Sequence, residues 1–345
     1  MSKSYTVGVV GATGLVGREM LRVLGERGFP ASKVVALASE RSLGASVDFG
    51  DDEVPVNVAT AQSFAGLDIV LMSAGGEVSR QLTPAAVAAG AVVIDNSSAW
   101  RMDPEVPLVV PEVNPGDVGG FRAKGIIANP NCSTIQMVVA LAPLHRRATL
   151  RRVVVATYQA VSGKGKAAMD ELGSQVSDLF NQRDSEPKVF SKRIAFNCLP
   201  HVDVFLDDGS TKEERKMVDE TRKILHLPNL GVLATCVRVP VFNGHSEAIV
   251  AEFVDKLTAD EARALLREAP GVFLMDDPSK ALYPTPIDAD GSDATLVGRV
   301  REDPSAPNSL AFWCVADNLR KGAATNAVQI AELLVRDHLG ESATH

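Results

Sequence analysis

A glycine-rich turn between an apolar strand and a helix limits the fold of this chain more than any other feature. Glycines recur every three residues from Gly8 to Gly17, after the strand-like run Tyr5–Val10, and a helical pattern follows to about Arg27. Such glycines allow a tight turn and let backbone N–H groups approach a phosphate at the positive end of the next helix. The strict G-x-G-x-x-G spacing is absent, but the position between strand and helix is the one that a dinucleotide-binding loop requires. A glycine-rich packing turn is the alternative.

The elements after this turn predict a Rossmann-like, doubly wound parallel sheet. Apolar strands without clean polar alternation, separated by helices, are typical of a sheet that is covered on both faces. An alanine-rich helix is predicted to end near Ala89. The predicted strands of this α/β region are Tyr5–Val10, Lys33–Ala38, Asp68–Ser73 and Ala91–Asp95.

The pattern changes after about residue 130, where longer strands predict an α+β domain with a mixed or antiparallel sheet. The predicted strands are Arg151–Gln159, Val232–Val239, Glu247–Val254, Ala294–Val300 and Leu310–Val315, and the predicted helices are Cys132–Arg147, Ala167–Asn181, Thr211–Leu225 and Ala259–Arg267. A last helix, Ala323–Leu339, is expected to pack on the first domain. We therefore expect a first domain over residues 1–131, completed by 318–345, and a second domain over 132–317.

Composition excludes several classes of function. Lys and Arg total 35 against 43 Asp and Glu, and this net charge of −8 argues against general nucleic-acid binding. No apolar run approaches the ~20 residues that cross a bilayer, and the N-terminus has no signal-peptide core. The four cysteines are scattered and form no metal-binding pattern with histidine, so we expect no metal site and a cytoplasmic location.

The end of the second strand favours NADP over NAD. An NAD site usually has an acidic residue there, which binds the ribose hydroxyls. In this chain the strand ends in LASERS, where Ser39, Arg41 and Ser42 could bind a 2′-phosphate while Glu40 points away. The alternative is that Arg41 is an ordinary surface residue.

Cys132 is the candidate nucleophile. It follows Asn131 in NPNCSTIQ and precedes an apolar helical pattern, which puts it at or near a helix N-terminus. The helix dipole and free N–H groups there favour the thiolate, which is the reactive form of cysteine. The other three cysteines, Cys198, Cys236 and Cys314, are interpreted as buried hydrophobic residues.

Seven motifs make the chain resemble the aspartate-semialdehyde dehydrogenase family. They occur in the family's order and span most of the chain: GATGLVG, DNSSAWR, PEVN, NPNCSTIQ, YQAVSG, TKEERK and RVPVFNGHSE. The resemblance implies reduction of L-aspartyl-4-phosphate by NADPH to aspartate 4-semialdehyde and phosphate, in the biosynthesis of lysine, threonine and methionine. A cysteine thiolate displaces phosphate to give a thioester, which hydride then reduces.

The resemblance also assigns roles to individual residues. Catalysis falls on Cys132, on the acid/base His245 and on Gln159, which orients the substrate. Substrate or phosphate is bound by Arg101, Asn131, Lys216, Glu213 and Arg238, with Arg238 on the α-carboxylate and Glu213 on the α-ammonium. The cofactor is bound by Gly11, Thr13, Gly14, Leu15, Val16, Ser39, Arg41, Ser42, Ser73, Ala74, Gly75, Ser162, Gly163 and Asn318. The family is commonly homodimeric through the second domain.

Other interpretations remain open. Glu213 and Lys216 lie in TKEERKMVDETRK, which alone is typical of a solvated helix face, and Arg101 alone fits a structural ion pair. An N-acetyl-glutamyl-phosphate reductase would share the chemistry, but its acetylated amine has no need of a carboxylate such as Glu213. The glyceraldehyde-3-phosphate dehydrogenases are more distant, and a non-catalytic nucleotide-binding scaffold or redox sensor is the remaining alternative.

Overall fold

A computed structural model describes residues 4–339, which form two compact units. Unit 1 contains residues 4–131 and 323–339, and unit 2 contains residues 132–322. Residues 1–3 and 340–345, which the sequence analysis included in the first domain, lie outside the described residues. Residues 318–322 were also assigned to the first domain but fall in unit 2, where Asn318 hydrogen-bonds to Ser162 and Gly322 lies against Cys132.

The regular elements follow the predicted order. The strands are β1 Tyr5–Val10, β2 Ala31–Ala38, β3 Ser46–Phe49, β4 Asp52–Val58, β5 Ile69–Met72, β6 Val92–Asp95, β7 Ile126–Ala128, β8 Leu150–Gln159, β9 Gly231–Arg238, β10 His245–Phe253, β11 Val272–Leu274, β12 Thr295–Glu302 and β13 Ser309–Ala316. The α-helices are α1 Leu15–Glu26, α2 Gly76–Ala88, α3 Cys132–Ala148, α4 Lys166–Phe180, α5 Lys212–Ile224, α6 Ala259–Glu268, α7 Pro286–Ala289 and α8 Thr325–Leu334.

Unit 1 is a doubly wound sheet of order β3-β4-β2-β1-β5-β6-β7, in which only β3 runs antiparallel to its neighbour. One face is covered by α1 and α8, with Leu24 and Ile330 in the same buried cluster, and the other face is covered by α2 through Ala86. Both faces are therefore buried, as the near-continuous apolar strands predicted. This confirms the predicted α/β class for the first part of the chain.

Unit 2 is a mixed sheet of order β11-β12-β13-β10-β8-β9, in which β8/β9 and β11/β12 are parallel pairs. The helices α3, α5 and α6 pack against one face. Residues on that face, such as Val155 and Ile249, are almost completely buried, while their neighbours Val154 and Val250 on the other face are half-buried. This alternation confirms the predicted α+β second domain with a mixed sheet.

Predicted elements agree with the structure to within about two residues at most ends. The last helix differs, because α8 is flanked by π-helical turns at Arg320–Ala324 and Val335–Leu339. The sequence patterns did not predict β3, β4, β7 and β11. β3, β7 and β11 are short strands at the edges of their sheets, and β4 lies inside its sheet but contains charged residues and Pro55, so all four lack the apolar run on which the prediction depended.

Candidate active site

The predicted cofactor residues of unit 1 lie at one edge of its sheet. The segment after β1 holds Gly11–Val16, the segment after β2 holds Ser39–Ser42, and the segment after β5 holds Ser73–Gly75. β1 has β2 on one side and β5 on the other, so the strand order reverses there. Open α/β sheets bind their ligands outside the carboxyl ends of the strands at such a point.

Gly11 and Gly17 allow the backbone segments around this loop to pack closely against one another. Gly11 has φ +81°, and a Cβ there would lie 2.5 Å from the Ser73 carbonyl oxygen. A Cβ at Gly17 would overlap the Gly11 carbonyl oxygen. The loop then leads into α1 after Gly14, so free N–H groups face the same edge. A side chain at either glycine would clash with the backbone, so the close approach of these segments requires glycine at both positions.

The segment after β2 is accessible to a ligand. Ser39 and Arg41 are exposed, and the Arg41 side chain has no resolved hydrogen bond within residues 4–339. The Ser42 hydroxyl lies 3.0 Å from the Thr13 hydroxyl, so the segment is linked to the loop after β1. This arrangement can present a guanidinium and two hydroxyls to a phosphate group.

Arg101 and Asn131 are buried in unit 1. Arg101 donates to the backbone carbonyls of Asn129 (2.9 Å) and Asn96 (2.7 Å). The preceding turn is held by the buried Asp95, whose carboxylate accepts hydrogen bonds from the Ser79 hydroxyl and the Ser97 N–H. Two backbone carbonyls therefore fix the orientation of the Arg101 guanidinium.

In unit 2, strand register brings three predicted residues to one place. Gln159 and Arg238 are paired at the carboxyl ends of the parallel strands β8 and β9. His245 begins the antiparallel strand β10, next to the Ser246–Tyr158 pair. All three side chains are on the buried face, because residues on one face of a strand alternate with those on the other.

Cys132 is the first residue of α3, as predicted, and is partly exposed. The next residue, Ser133, accepts a hydrogen bond of 3.0 Å from Gln159 Nε2. The same Gln159 nitrogen lies 3.2 Å from Glu213 Oε1. Gln159 therefore connects the start of the cysteine helix to the carboxylate of Glu213.

The imidazole of His245 is completely buried, and its orientation is fixed by one hydrogen bond. Its Nδ1 accepts the backbone N–H of Ala160 at 3.1 Å, so the proton of the neutral ring is on Nε2. Nε2 has no hydrogen-bond partner within the described residues. Burial and the charge of Arg238 hold the pKa of His245 well below its usual value, so at neutral pH the ring is an uncharged Nε2–H donor.

Arg238 lies in the same space as the imidazole. Its Nη1 donates to the Ala160 carbonyl at 2.6 Å. A Cβ on Gly163 would be 3.0 Å from that nitrogen and 3.1 Å from His245 Nε2, so both groups face the gap above Gly163. Burial lowers the pKa of Arg238, while Glu213 and Cys132 act on it in the opposite direction. A guanidinium stays charged even so, and a cation near Cys132 favours the thiolate over the thiol.

Glu213 and Lys216 are not a solvated face of α5. Glu213 is buried, and Lys216 Nζ lies 3.1 Å from its carboxylate and 2.7 Å from Asp203. Two carboxylates therefore already share the charge of Lys216. A phosphate at Lys216 would compete with Asp203, which the sequence analysis did not anticipate.

Ser162 and Asn318 hydrogen-bond to each other at 2.9 Å. The side-chain Oδ1 of Asn318 also accepts a hydrogen bond from the backbone N–H of Gly244, the residue before His245. Gly244 has φ +88° and lies against Pro286, where a side chain would clash. These contacts hold the turn that leads into the His245 strand. Ser162 and Asn318 thus have a structural role beside the cofactor role that the resemblance implies.

Three residues of this region were missed by the sequence analysis. Gly322 lies so close to Cys132 that a Cβ there would be 2.9 Å from Cys132 Cβ, and Asn243 hydrogen-bonds to Ser162 and Asp317. Gln136 donates from Nε2 to the His245 backbone carbonyl at 3.2 Å. Of these three residues, only Gln136 has a signal in the sequence: it lies four residues after Cys132, a spacing that places both side chains on one face of a helix.

The other cysteines are partly as expected. Cys236 and Cys314 are buried, and burial raises the pKa of both thiols, so they are inert. The prediction was wrong for Cys198, which is exposed: its segment is an irregular connection over the surface rather than a core element.

Within residues 4–339 no group of His, Cys, Asp or Glu side chains could hold a metal ion. No helix in that range is long and apolar enough to cross a membrane.

Comparison with known families gives the same division of the chain. Residues 6–120 match the family described as semialdehyde dehydrogenase, NAD binding domain. Residues 141–321 match the family described as semialdehyde dehydrogenase, dimerisation domain.

Full-length similarity extends to individual proteins. The chain is 56% identical over 338 residues to the aspartate-semialdehyde dehydrogenase of Aquifex aeolicus, covering 97% of this chain and 99% of the relative. It superposes with a TM-score of 0.96 on the Vibrio cholerae aspartate semialdehyde dehydrogenase II complexed with ASA, at 50% identity, covering 98% and 100% of the two chains. The Candida albicans enzyme with NADP gives a TM-score of 0.75 at 26% identity, with coverage of 96% and 98%.

Proposed function

The chain belongs to the aspartate-semialdehyde dehydrogenase family, and on that premise we propose which of its residues carry the family's reaction. The reaction is reduction of L-aspartyl-4-phosphate to aspartate 4-semialdehyde and phosphate by a nicotinamide dinucleotide. The observation that carries our assignment is the convergence of Arg238 Nη1 and His245 Nε2 on the gap above Gly163, in the unit where Cys132 begins α3.

Cys132 is the nucleophile in this proposal. Its thiolate attacks the acyl carbon, and the bond from that carbon to the phosphate oxygen breaks, which leaves a thioester and releases phosphate. The dinucleotide, when bound, supplies the hydride that reduces the thioester. The resulting alkoxide then reforms the carbonyl and expels the Cys132 thiolate, which gives the aldehyde.

In this proposal the neutral His245 donates a hydrogen bond from Nε2 to the substrate rather than a whole proton. The Ala160 N–H occupies Nδ1, so an imidazolium would place two donors against each other. A neutral Nε2–H aimed at the carbonyl oxygen stabilises the negative charge that develops there, in a buried site where such a contact is strong. This refines the acid/base role that the family resemblance implied.

Arg238 and Glu213 select an amino-acid substrate. A planar guanidinium suits the α-carboxylate, and a buried carboxylate next to Gln159 suits the α-ammonium. An N-acetylated substrate has no cation for Glu213, so this carboxylate would remain buried beside an uncharged group. Glu213 thus favours aspartyl phosphate over N-acetyl-glutamyl phosphate.

We assign phosphate binding to Arg101 and Asn131 in unit 1 and to Lys216 in unit 2. The cofactor is NADP, since Arg41 and the hydroxyls of Ser39 and Ser42 suit a 2′-phosphate. The Candida albicans enzyme, solved with NADP, supports this choice. The cofactor residues named from the sequence, including Ser162, Gly163 and Asn318 of unit 2, keep that role in the proposal.

The open face of the unit 2 sheet supports a homodimer. It carries apolar and aromatic side chains that a monomer leaves in water, with Leu233 56% exposed and Tyr158 38% exposed beside the half-buried Trp313. A second copy of the same face would cover it, which fits the dimerisation domain matched here. A cytoplasmic location is part of the same proposal, and the absence of disulfides among the four cysteines fits it.

The reverse reaction tests the function. Aspartate 4-semialdehyde, phosphate and NADP are combined, and NADPH absorbance is followed. We expect NADPH to appear only when all three are present, and N-acetyl-glutamate 5-semialdehyde should not replace the substrate. Turnover without phosphate, or a preference for the acetylated aldehyde, would overturn the assignment.

A further inference from the structure

A second polar group lies beside His245 on the buried face of the unit 2 sheet. Glu247 is two residues further along β10 and faces the same side. It is paired with Thr157 of β8 and with Cys314 of β13, so it occupies the middle of the sheet. Its side chain is completely buried. The roles assigned above do not use it.

The polar atoms around Glu247 are unsatisfied. Both of its carboxyl oxygens, Oε1 of Gln136 and Oγ1 of Thr157 are buried, and none has a hydrogen-bond partner within residues 4–339. An unpaired buried polar atom is destabilising, and an unpaired buried carboxylate is more so. Burial raises the pKa of Glu247 well above its ordinary value, and the Gln136 amide beside it opposes this only in part. A carboxyl that is buried in this way, with no hydrogen-bond partner for either oxygen in the described part of the chain, is favoured in its neutral, protonated form.

Gln136 connects this acid to the proposed reaction centre. It lies one turn after Cys132 in α3, so the two side chains are on the same helix face. Its amide also donates to the His245 backbone carbonyl. The O–H of a protonated Glu247 can donate a hydrogen bond to Gln136 Oε1. The Gln136 amide N–H can in turn donate to the carbonyl oxygen of the Glu247 carboxyl, so both groups gain a partner.

We propose that Glu247 is a positioning residue: as a neutral acid it fixes the Gln136 amide, which holds the Cys132 helix and the His245 strand in register. The proposal rests on the functions proposed above for Cys132 and His245. It needs no charge on Glu247 and no contact between Glu247 and substrate. An amide in place of the carboxyl should serve almost as well, whereas an apolar side chain should not.

The test compares Glu247→Gln with Glu247→Leu, using Ile249→Val as the control. Ile249 is the next residue on the same face of β10, so its substitution reports the cost of any change in this layer. We expect Glu247→Leu to lower kcat of the reverse reaction by about tenfold or more with little change in the KM for the aldehyde. Glu247→Gln should stay within about threefold of the parent, because it keeps the polar contact. Equal losses in both variants, or none in Glu247→Leu, would overturn the proposal; Glu247→Met replaces Glu247→Leu if the latter does not fold.

Two spectroscopic measurements on the same proteins do not depend on turnover. The infrared carbonyl band of a protonated carboxyl should be present at neutral pH and disappear in Glu247→Gln, and its absence in the parent would contradict the neutral acid. The ¹⁵N resonances of the His245 ring should shift in Glu247→Leu and return in Glu247→Gln. If the reverse assay fails while these signals behave as stated, the proposed function is wrong but the contact between Glu247 and Gln136 is supported. If the assay succeeds and the His245 signals do not respond, the positioning role is wrong.

Discussion

The two candidate sites of this molecule are built from different materials. The proposed nucleotide loop of unit 1 is mostly backbone. Its N–H groups would contact the ligand, and glycine is required at Gly11 and Gly17 because a side chain there would clash. The proposed reaction centre of unit 2 consists mostly of buried side chains, such as those of Gln159 and His245, which strand register brings together. A backbone site tolerates changes outside its glycines, whereas a side-chain site depends on each group and its neighbours.

The largest effect is expected at the nucleophile. Cys132→Ala should lower kcat by at least ~10⁴-fold, because no other group can form the thioester, while NADP binding by unit 1 is retained. Turnover is measured in the reverse assay, and binding is measured by titration with NADPH fluorescence. Cys198→Ser is the matched control, since this exposed thiol should be dispensable. Substantial turnover in Cys132→Ala would remove the basis of the assigned mechanism.

A single methyl group should separate steric from chemical effects in unit 2. In Gly163→Ala the added methyl carbon would lie 3.0 Å from Arg238 Nη1 and 3.1 Å from His245 Nε2. Both distances are shorter than ordinary van der Waals contact, so both side chains must move. Displacement of this kind costs about 10²-fold in kcat/KM. Gly173→Ala is the control, because a Cβ there meets nothing within 4 Å. Equal activity of the two variants would show that the gap above Gly163 is not part of the site.

Arg238→Lys tests the fit between guanidinium and carboxylate. The ammonium keeps the charge but loses the planar fork and the bond to the Ala160 carbonyl. We expect a loss of about 2 kcal/mol, or roughly thirtyfold in kcat/KM for aspartate semialdehyde. Kinetics at saturating phosphate and NADP measure this ratio. A near-normal value would assign the α-carboxylate to another residue.

The exposed segment after β2 should give a smaller change, confined to cofactor choice. Arg41→Ala is expected to lower the NADP-to-NAD preference by about tenfold, the value of one charged hydrogen bond. The ratio of kcat/KM for the two cofactors measures it. Arg22→Ala, an exposed arginine on α1 whose guanidinium hydrogen-bonds to Glu19 of the same helix, is a control for loss of surface charge. An unchanged ratio would mean that another group holds the 2′-phosphate.

The smallest effect concerns stability in acid. The folded-state pKa of His245 lies below that of the unfolded chain, about 6.5, so between these values only the unfolded chain binds the proton. Stability from this group is therefore complete above about pH 6.5 and falls as the pH decreases toward the folded value, by about 1 kcal/mol over the first unit. Denaturant unfolding at pH 7.5 and 5.5 should show a smaller decrease for His245→Gln than for the parent. Equal decreases would contradict a buried neutral imidazole.

Local sequence was sufficient for most of the fold. The strand-like runs and helical periodicities placed nearly every long element, because hydrophobic spacing reflects which face is buried. Hydrophobic spacing did not predict β3 and β4, because their polar residues give no such signal. The prediction for Cys198 was wrong because cysteines are usually buried, whereas this one lies in a surface loop. Local sequence also failed to separate a solvated helix face from a site at Glu213, since charge spacing on a helix does not report burial.

The sequence by itself determined the architecture, the glycine cradle after β1 and the identity of Cys132 as the first residue of a helix, because each depends on residues close together in the chain. Only the tertiary structure decided that Gln159, Arg238 and His245 share a face, that Lys216 is already paired with Asp203, and that the His245 proton is on Nε2. These facts depend on strand register and burial between distant segments. They set the electrostatics of the site, which no local pattern contains.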